Sequence, residues 1–202
     1  MAAFGTVFTP EMIISHFHNN SWSQPELVAT DSISLHPGAH VLHYSSTCFE
    51  GLKAFRHADG GIYVFRMDKN VARLAQSSQL LALPQIDGAM LQQMILDIVK
   101  RYAADVPNPP GSMYIRPTHI GTEASIGKAA APSLESMLYV LLSPVGDYFA
   151  GGSVAGVGAE GTLMMMGWAV ALGVTFFAGI VGREQVPAEA MTATEREKRE
   201  PA

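Results

Sequence analysis

One short segment of the chain, residues 43–56, holds the groups best suited to contact a small ligand. It reads His-Tyr-Ser-Ser-Thr-Cys-Phe-Glu-Gly-Leu-Lys-Ala-Phe-Arg and places Tyr44 and Phe49 beside a Glu50-Gly51 turn. Aromatic rings can wall a rigid, dry pocket for an apolar group. A single aromatic ring is more often part of ordinary core packing, so the surrounding pattern has to decide between the two interpretations.

Two arginines further along the chain could bind anions. Arg73 lies in a segment with helical spacing, and a guanidinium fork matches a phosphate group through two parallel hydrogen bonds. Arg116 follows Tyr114 by two residues in Tyr-Ile-Arg-Pro, so both side chains lie on the same side of a strand. Spacing alone leaves open a solvated helix arginine for Arg73 and a structural ion pair for Arg116.

The elements that must position these residues form a mixed α/β (α+β) unit, predicted to span residues 1–150. Alternating and apolar runs indicate strands, and apolar residues at intervals of three and four indicate helices. Strands are predicted at 52–55, 62–65, 113–120 and 137–143, and helices at 68–82, with Asp68 as N-cap, and 89–103. The first two strands should form a hairpin. The expected fold is therefore a mostly antiparallel sheet flanked by helices.

Taken together, these motifs resemble the small, N-terminal domain of branched-chain amino-acid aminotransferases, which are class IV enzymes dependent on pyridoxal 5'-phosphate. The resemblance covers roughly residues 11–153 and lies in His43-Tyr44 with Phe49-Glu50-Gly51, Phe65-Arg66-Met67-Asp68 with Ala72-Arg73-Leu74, Tyr114-Ile115-Arg116-Pro117, and Pro144-Val145-Gly146-Asp147-Tyr148-Phe149. It implies the small domain of fold type IV. It also implies amino-group transfer between Leu, Ile or Val and 2-oxoglutarate in a homodimer.

The resemblance also implies roles for individual residues. Arg73 would contact the phosphate of the cofactor, and Arg116 would help to accept an acidic substrate such as glutamate. The loop at 121–127 would reach into the active site of the partner subunit, with Ile126 at its apolar tip and Lys128 in place of a small apolar residue. The walls of the pocket for the branched side chain would be Tyr44, Phe49, Tyr114 and Tyr148.

The resemblance ends near Val154. The family's cofactor-binding lysine, in a Gly-Gly-Asn-Tyr context, has no counterpart in this chain, and Lys198 lies in a charged cluster unsuited to a lowered amine pKa. No residue is therefore assigned a catalytic role. We expect the chain alone to be inactive and not to bind pyridoxal phosphate stably. The abrupt change indicates a truncated or frame-shifted gene product, or a fusion.

The remainder of the chain differs in composition. We predict a Gly/Ala-rich linker at 151–160, an apolar helix at 161–182 and a polar tail at 183–202. The apolar segment is long enough to cross a bilayer at about 1.5 Å per residue. Two alternatives to a truncated aminotransferase therefore stay open: a non-catalytic docking or dimerisation module, and a membrane-associated fragment anchored by 161–182.

Composition excludes other classes of function. The net charge is −5, and the basic residues form no patch with interleaved aromatics, so nucleic-acid binding has no support. No histidine spacing suits a metal site. The single cysteine, Cys48, cannot form an internal disulfide and fits a reducing compartment. The expected location is the cytoplasm, with the membrane as the alternative.

Overall fold

The structure, a computed structural model, describes residues 5–127 and 131–146. All of these residues belong to one compact unit, Met1–Ser153. In chain order the elements are β1 (Glu11–His18), β2 (Ser21–Trp22), β3 (Glu26–Ala29), α1 (His40–Tyr44), β4 (Thr47–Phe49), β5 (Leu52–Arg56), β6 (Ile62–Val64), α2 (Met67–Leu80), α3 (Gly88–Arg101), a 3-10 turn (Ala103–Asp105), β7 (Ser112–Gly121) and β8 (Ser136–Val145).

The strands form one antiparallel sheet, which confirms the expected fold class. Its order is β2-β1-β8-β7-β5-β6, with β3 paired to β1 and β4 paired to β7. The longest ladder joins β7 to β8, from Ser112 opposite Val145 to Gly121 opposite Ser136. The predicted hairpin is present as β5 and β6. The site residues predicted on β4 and β7 are therefore brought together by strand pairing.

The helices α2 and α3 cover one face of the sheet. Leu74 from α2 and Met94 from α3 pack with Met113, Ile115 and Leu142 of the sheet in a single buried cluster. Burying a side chain of this size contributes about 1.5–3 kcal/mol. Since successive strand residues point to opposite faces, Tyr114 and Arg116 face away from the helices. That second face has a smaller core, centred on Met12, Ile14, Ile120 and Met137.

The two long helices begin differently. Asp87 is the N-cap of α3, and its Oδ1 accepts hydrogen bonds from the backbone N–H groups of Ala89 (2.8 Å) and Met90 (3.2 Å). The prediction that Asp68 caps α2 is wrong. Arg66, in the left-handed conformation at φ 50° and ψ 41°, precedes the helix, which begins at Met67. Asp68 therefore lies in the first turn, where its negative charge interacts favourably with the positive end of the helix dipole.

Several sequence predictions lie outside the described residues. They concern Tyr148, Lys128, the linker at 151–160, the apolar helix at 161–182 and the tail at 183–202. Among the residues that are described, no helix has the length and apolarity needed to cross a membrane.

A buried histidine ties β7 to α2 and β8. His119 is fully buried; its Nδ1 lies 2.9 Å from Ser78 Oγ and its Nε2 lies 2.8 Å from Ser136 Oγ. The Ser78 hydroxyl donates to Leu74 O at 2.9 Å, so its oxygen accepts a hydrogen bond from Nδ1–H of His119, and Nε2 accepts one from the Ser136 hydroxyl. Burial lowers the pKa of His119 from 6.5 to about 4. The ring is thus neutral at physiological pH.

We predict that this histidine makes the domain less stable in mild acid. Between pH 6.5 and about 4 the unfolded chain takes up a proton on His119 that the folded chain does not, so the free energy of unfolding falls as the pH falls through this window. The loss is on the order of 3 kcal/mol across the whole window. Urea unfolding at several pH values measures it.

His119→Gln keeps a donor and an acceptor at this position and removes the titrating ring. We expect a flatter dependence of the unfolding free energy on pH in this variant, whatever its absolute stability. His16→Gln, which changes a solvent-exposed histidine, is the matched control and should keep the slope of the original chain. An unchanged slope in His119→Gln would contradict the assignment.

Candidate functional site

The open face of the sheet carries a cluster of one arginine and two aromatic rings. The guanidinium carbon of Arg116 lies 4.1 Å from the centroid of the Phe49 ring and 5.2 Å from that of Tyr114. Arg116 Nε also donates a hydrogen bond to the Tyr114 hydroxyl at 3.0 Å. Phe49 reaches the cluster because it ends β4, which pairs with β7 opposite Thr118. The pairing of β4 with β7 thus assembles the cluster.

Among the residues that the structure describes, no carboxylate neutralises the charge of Arg116. Within residues 5–127 and 131–146, no Asp or Glu oxygen lies within 4.0 Å of its guanidinium. The two rings and the phenol oxygen hold the cation, and each such π contact is worth about 0.5–1 kcal/mol at an exposed site. A held, half-buried cation without a counter-ion can attract an anionic ligand. Within the described part of the chain, Arg116 thus has aromatic rings and a phenol oxygen as partners, and it forms no structural ion pair there.

A pocket of about 230 Å³ lies against Arg116. Its lining comes from β7, β8 and the N-terminal segment: Gly5, Phe8, Tyr114, Arg116, Leu141, Leu142 and Ser143. The N-terminal segment is held along β8 by hydrogen bonds from Thr9 N to Leu142 O (3.1 Å) and from Ser143 Oγ to Val7 O (2.6 Å). The pocket is therefore apolar on several sides and cationic on one.

Gly51 makes room for Tyr114. A Cβ atom added at residue 51 would lie 3.1 Å from Tyr114 Cζ and closer still to the hydroxyl oxygen. The tyrosine hydroxyl is also bound to Arg116 and cannot turn away without breaking that bond. A side chain at residue 51 would thus displace Tyr114 and, through it, Arg116.

Arg73 lies at the edge of this region and is bound to a carboxylate. Its Nε donates to Glu50 Oε1 at 2.9 Å and its Nη2 to Glu50 Oε2 at 2.7 Å. Asn70 Nδ2 donates to the same Oε2 at 2.8 Å. Partial burial by itself would raise the pKa of Glu50, but the hydrogen bonds from Arg73 and Asn70 outweigh it and hold that pKa below its ordinary value. Glu50 is therefore ionised at neutral pH.

A second group of contacts joins α1 to the loop at 121–127. The Tyr44 hydroxyl donates to Ile126 O, and the backbone N–H groups of His40 and Ser125 donate to Glu123 O (2.9 Å) and Gly38 O (3.0 Å). These bonds hold the loop backbone while the Ile126 side chain is 70% exposed. Tyr44 is thus engaged in holding a loop through its hydroxyl.

The structure places the site residues predicted from the sequence in three ways. Phe49, Tyr114 and Arg116 meet in one cluster, and Tyr44 meets Ile126. Arg73 is linked to that cluster through Glu50, the residue that follows Phe49. Tyr148 lies outside the described residues.

Sequence reasoning missed several contributors to the site. The sequence predicts Glu50 and Gly51 only as a turn, and it predicts no role for Asn70 or Phe8. Asn70 and Arg73 are three residues apart and so share one side of α2, which is a signal that the sequence contains. The pairing of Glu50 with Arg73 joins positions 23 residues apart, and no local pattern reveals it.

We predict that Gly51→Ala destabilises the domain by about 1–3 kcal/mol, because the new methyl group overpacks against Tyr114. In a Tyr114→Phe background the same change should cost less, since the oxygen nearest to the added Cβ is gone. Urea unfolding of the two single variants and the double variant gives this coupling energy. Equal costs of Gly51→Ala in both backgrounds would contradict the close approach. Gly60→Ala is a poor control because φ is +81° there, whereas Gly127→Ala, with open space around it, is a suitable one.

Comparison with known proteins gives a consistent result. The chain is 42% identical over 152 residues to the cytosolic branched-chain-amino-acid aminotransferase of Ovis aries, and the match covers 74% of this chain and 39% of the sheep protein. It is 40% identical over 156 residues to the cytosolic enzyme of Rattus norvegicus, covering 76% of this chain and 38% of the rat protein. Branched-chain-amino-acid aminotransferase 2 of Bacillus subtilis is 38% identical over 149 residues. No protein-family model matches the chain.

Solved structures show the same fold. The T.th. branched-chain amino acid aminotransferase with pyridoxamine 5'-phosphate superposes with a TM-score of 0.53 at 24% identity, over 68% of this chain and 41% of that one. The Escherichia coli branched-chain amino acid aminotransferase gives a TM-score of 0.53 at 23% identity, over 73% of this chain and 42% of that one.

This chain spans 38–39% of the length of the rat and sheep relatives that it matches. Its matching region and its fold are those of one part of these enzymes. Over that region, the chain is homologous to the branched-chain amino-acid aminotransferases.

Proposed function

We propose that residues 1–150 form the substrate-side domain of a branched-chain amino-acid aminotransferase. In the complete enzyme it would act with a second part, which the relatives contain, to transfer amino groups between Leu, Ile or Val and 2-oxoglutarate. The observation that carries this proposal is the Arg116 cluster beside a small apolar pocket. Homology to named aminotransferases at about 40% identity supports it.

The pocket meets a demanding requirement of this reaction. The same space has to take an apolar side chain from one substrate and a carboxylate from the other. Phe8, Tyr114 and Leu141 supply apolar contact for the first. Arg116 supplies a charge for the second, and because aromatic rings hold it, no carboxylate among the described residues has to be displaced before the substrate carboxylate binds. Arg116 would thereby bind the carboxylate of the acidic substrate while the apolar lining stays free to contact the side chain of the other substrate.

Pyridoxal phosphate is the cofactor that the relatives imply. One solved structure of the T.th. enzyme holds N-(5'-phosphopyridoxyl)-L-glutamate, and another holds pyridoxamine 5'-phosphate. The chain fits the phosphate end of such a group, since the exposed part of Arg73 lines a surface pocket with Arg66 and Lys69. When bound, the cofactor supplies the electron sink of transamination. Arg73 would hold its phosphate, while Arg116 and Phe49 would orient the substrate.

The loop at 121–127 would contact a second copy of the chain. In the family that the chain resembles, this loop reaches the partner subunit of a homodimer. The exposed Ile126 side chain, on a backbone held by Tyr44, suits an apolar contact with a second copy. We propose the cytoplasm as the compartment, because the rat and sheep relatives are cytosolic enzymes.

A chimera tests the substrate assignment. Residues 1–146 would be joined to the part of the rat cytosolic enzyme that lies beyond its match with this chain. We expect transamination of leucine, and we expect Arg116→Gln to raise the KM for 2-oxoglutarate about 10- to 100-fold by removing a hydrogen bond to a charged group. The KM for leucine should change far less.

Arg101→Gln is the matched control for this change. It removes an arginine that pairs with Glu11 at 3.0 Å at the end of α3, and it should leave both KM values unaltered. Equal effects of Arg116→Gln on leucine and on 2-oxoglutarate would contradict a role in selecting the acidic substrate.

We further predict that this chain alone forms no specific covalent adduct with pyridoxal phosphate and does not transaminate leucine. The reason is that none of its lysines lies in the sequence context of the family's cofactor-binding lysine. Reduction with borohydride after incubation with the cofactor, followed by peptide mapping, tests this. A stoichiometric adduct on one lysine, together with turnover of leucine and 2-oxoglutarate, would require a new catalytic assignment.

A further inference from the structure

Glu50 connects three parts of the candidate site. Its backbone N–H donates to Pro117 O of β7 at 3.0 Å, and its neighbour Phe49 contacts Arg116. Its side chain reaches α2, where Arg73 and Asn70 donate to it. The Glu50 side chain is only 12% exposed, whereas that of Arg73 is 62% exposed. The fixed member of the pair is therefore the carboxylate.

The bonds to Glu50 define which edge of Arg73 stays available. A guanidinium is planar and carries five N–H donors. Glu50 accepts from Nε and from one N–H of Nη2, which together form the side edge of the fork. The end edge, formed by Nη1 and the second N–H of Nη2, is not used by this pair. Since the carboxylate fixes the plane, it also fixes the direction of the end edge.

The surroundings of Arg73 favour an anion. Arg73 lines a pocket of about 550 Å³ together with Phe65, Arg66, Lys69, Asn70, Ala72 and Gln76. Two further cations thus line the same pocket at the start of α2, of which Lys69 lies 3.9 Å from the Asp68 carboxylate. A phosphate group has a matching geometry for a bidentate contact with an arginine edge.

Glu50 has two opposed effects on such an anion. Its negative charge partly cancels the charge of Arg73 and weakens long-range attraction. Its two hydrogen bonds remove the rotamer freedom of a long side chain, so the guanidinium is already ordered before an anion arrives. Charge removal and order therefore predict opposite results when Glu50 is made neutral.

We propose that Glu50 is a positioning residue for Arg73, which holds the guanidinium so that its end edge receives a phosphate group. This inference rests on the proposed phosphate contact of Arg73 and adds the element that orients it. Asn70 supports the arrangement by donating to the same carboxylate oxygen as Arg73 Nη2.

The test is an NMR titration of the full chain, labelled with 15N-arginine, using inorganic phosphate and pyridoxal phosphate as probes. The Nε–H resonance of Arg73, assigned by its loss in Arg73→Gln, reports the order of this side chain and its response to the probe, and the 31P resonance of the probe reports binding in every variant, including Arg73→Gln. We expect slow solvent exchange of this proton in the original chain and a shift on addition of either probe. In Glu50→Gln we expect faster exchange and about tenfold weaker phosphate binding, although a negative charge has been removed.

Two controls separate charge from orientation. Glu26→Gln, on the exposed side of β3, makes the same change of charge at another site and should leave phosphate binding equal or slightly tighter. Asn70→Ala removes one bond to the Glu50 carboxylate without changing any charge. Because Asn70 also lines the pocket, the readout for this variant is solvent exchange of the Arg73 Nε–H, which should become faster, as in Glu50→Gln. This variant also decides the question if Glu50→Gln fails to fold.

The outcomes distinguish the inference from the function on which it rests. If Arg73→Gln leaves phosphate binding unchanged, or the original chain shows no shift at Arg73, the phosphate contact is wrong and the role of Glu50 is wrong with it. If Arg73→Gln abolishes binding but Glu50→Gln binds phosphate as well as or better than the original chain, the phosphate contact holds and Glu50 merely neutralises charge.

Discussion

The ten-residue antiparallel ladder between β7 and β8 is the constraint on which the rest of the site depends. Its register sends Met113 and Ile115 to the helix-covered face and Tyr114 and Arg116 to the open one. The period of a strand is two, so a slip by one residue would bury the arginine under the helices and expose their apolar partners. Desolvating an unpaired cation is far costlier than losing one ladder hydrogen bond. The alternation of apolar and polar side chains therefore fixes the register, and the register fixes which side chains can meet a ligand.

The short β4 strand pairs with β7, so this strand and the turn that follows it position the remaining site residues relative to β7. Phe49 lies over Arg116, Glu50 extends to Arg73 on α2, and Gly51 accommodates the Tyr114 ring. Three consecutive residues thus contact a strand residue, a helix residue and a second strand residue. The Pro117 carbonyl, which accepts from Glu50 N, fixes the turn against β7. A side chain at residue 51 would disturb Arg116 through Tyr114, and a different residue at 50 would disturb Arg73.

The sequence contained strong signals for some elements and weak ones for others. The periodic stripes of α2 and α3 and the apolar run of β8 are long enough to predict within about two residues. The strands β2, β3 and β4 have two to four residues and show no usable period, so tertiary pairing alone defines them. The site divides in the same way. Tyr114 and Arg116 share a face by strand geometry, but the Glu50–Arg73 contact depends on how a helix packs on a sheet, and local spacing cannot show it.

The two arginines of the site hold their charge by opposite means, and the contrast suits the ligands proposed for them. Arg116 rests on π faces and a phenol oxygen, with no carboxylate partner among the described residues. This arrangement favours the binding of a carboxylate in a pocket that must also admit an apolar side chain. Arg73 is paired with an ionised carboxylate, so the pair carries little net charge but has a fixed direction. A phosphate group carries a charge of about −1.5 to −2 near neutral pH, and Arg66 and Lys69 lie in the same pocket to offset it. For a group that stays bound, fixed direction matters more than long-range attraction, since the ordering cost is met once in folding rather than at each binding event.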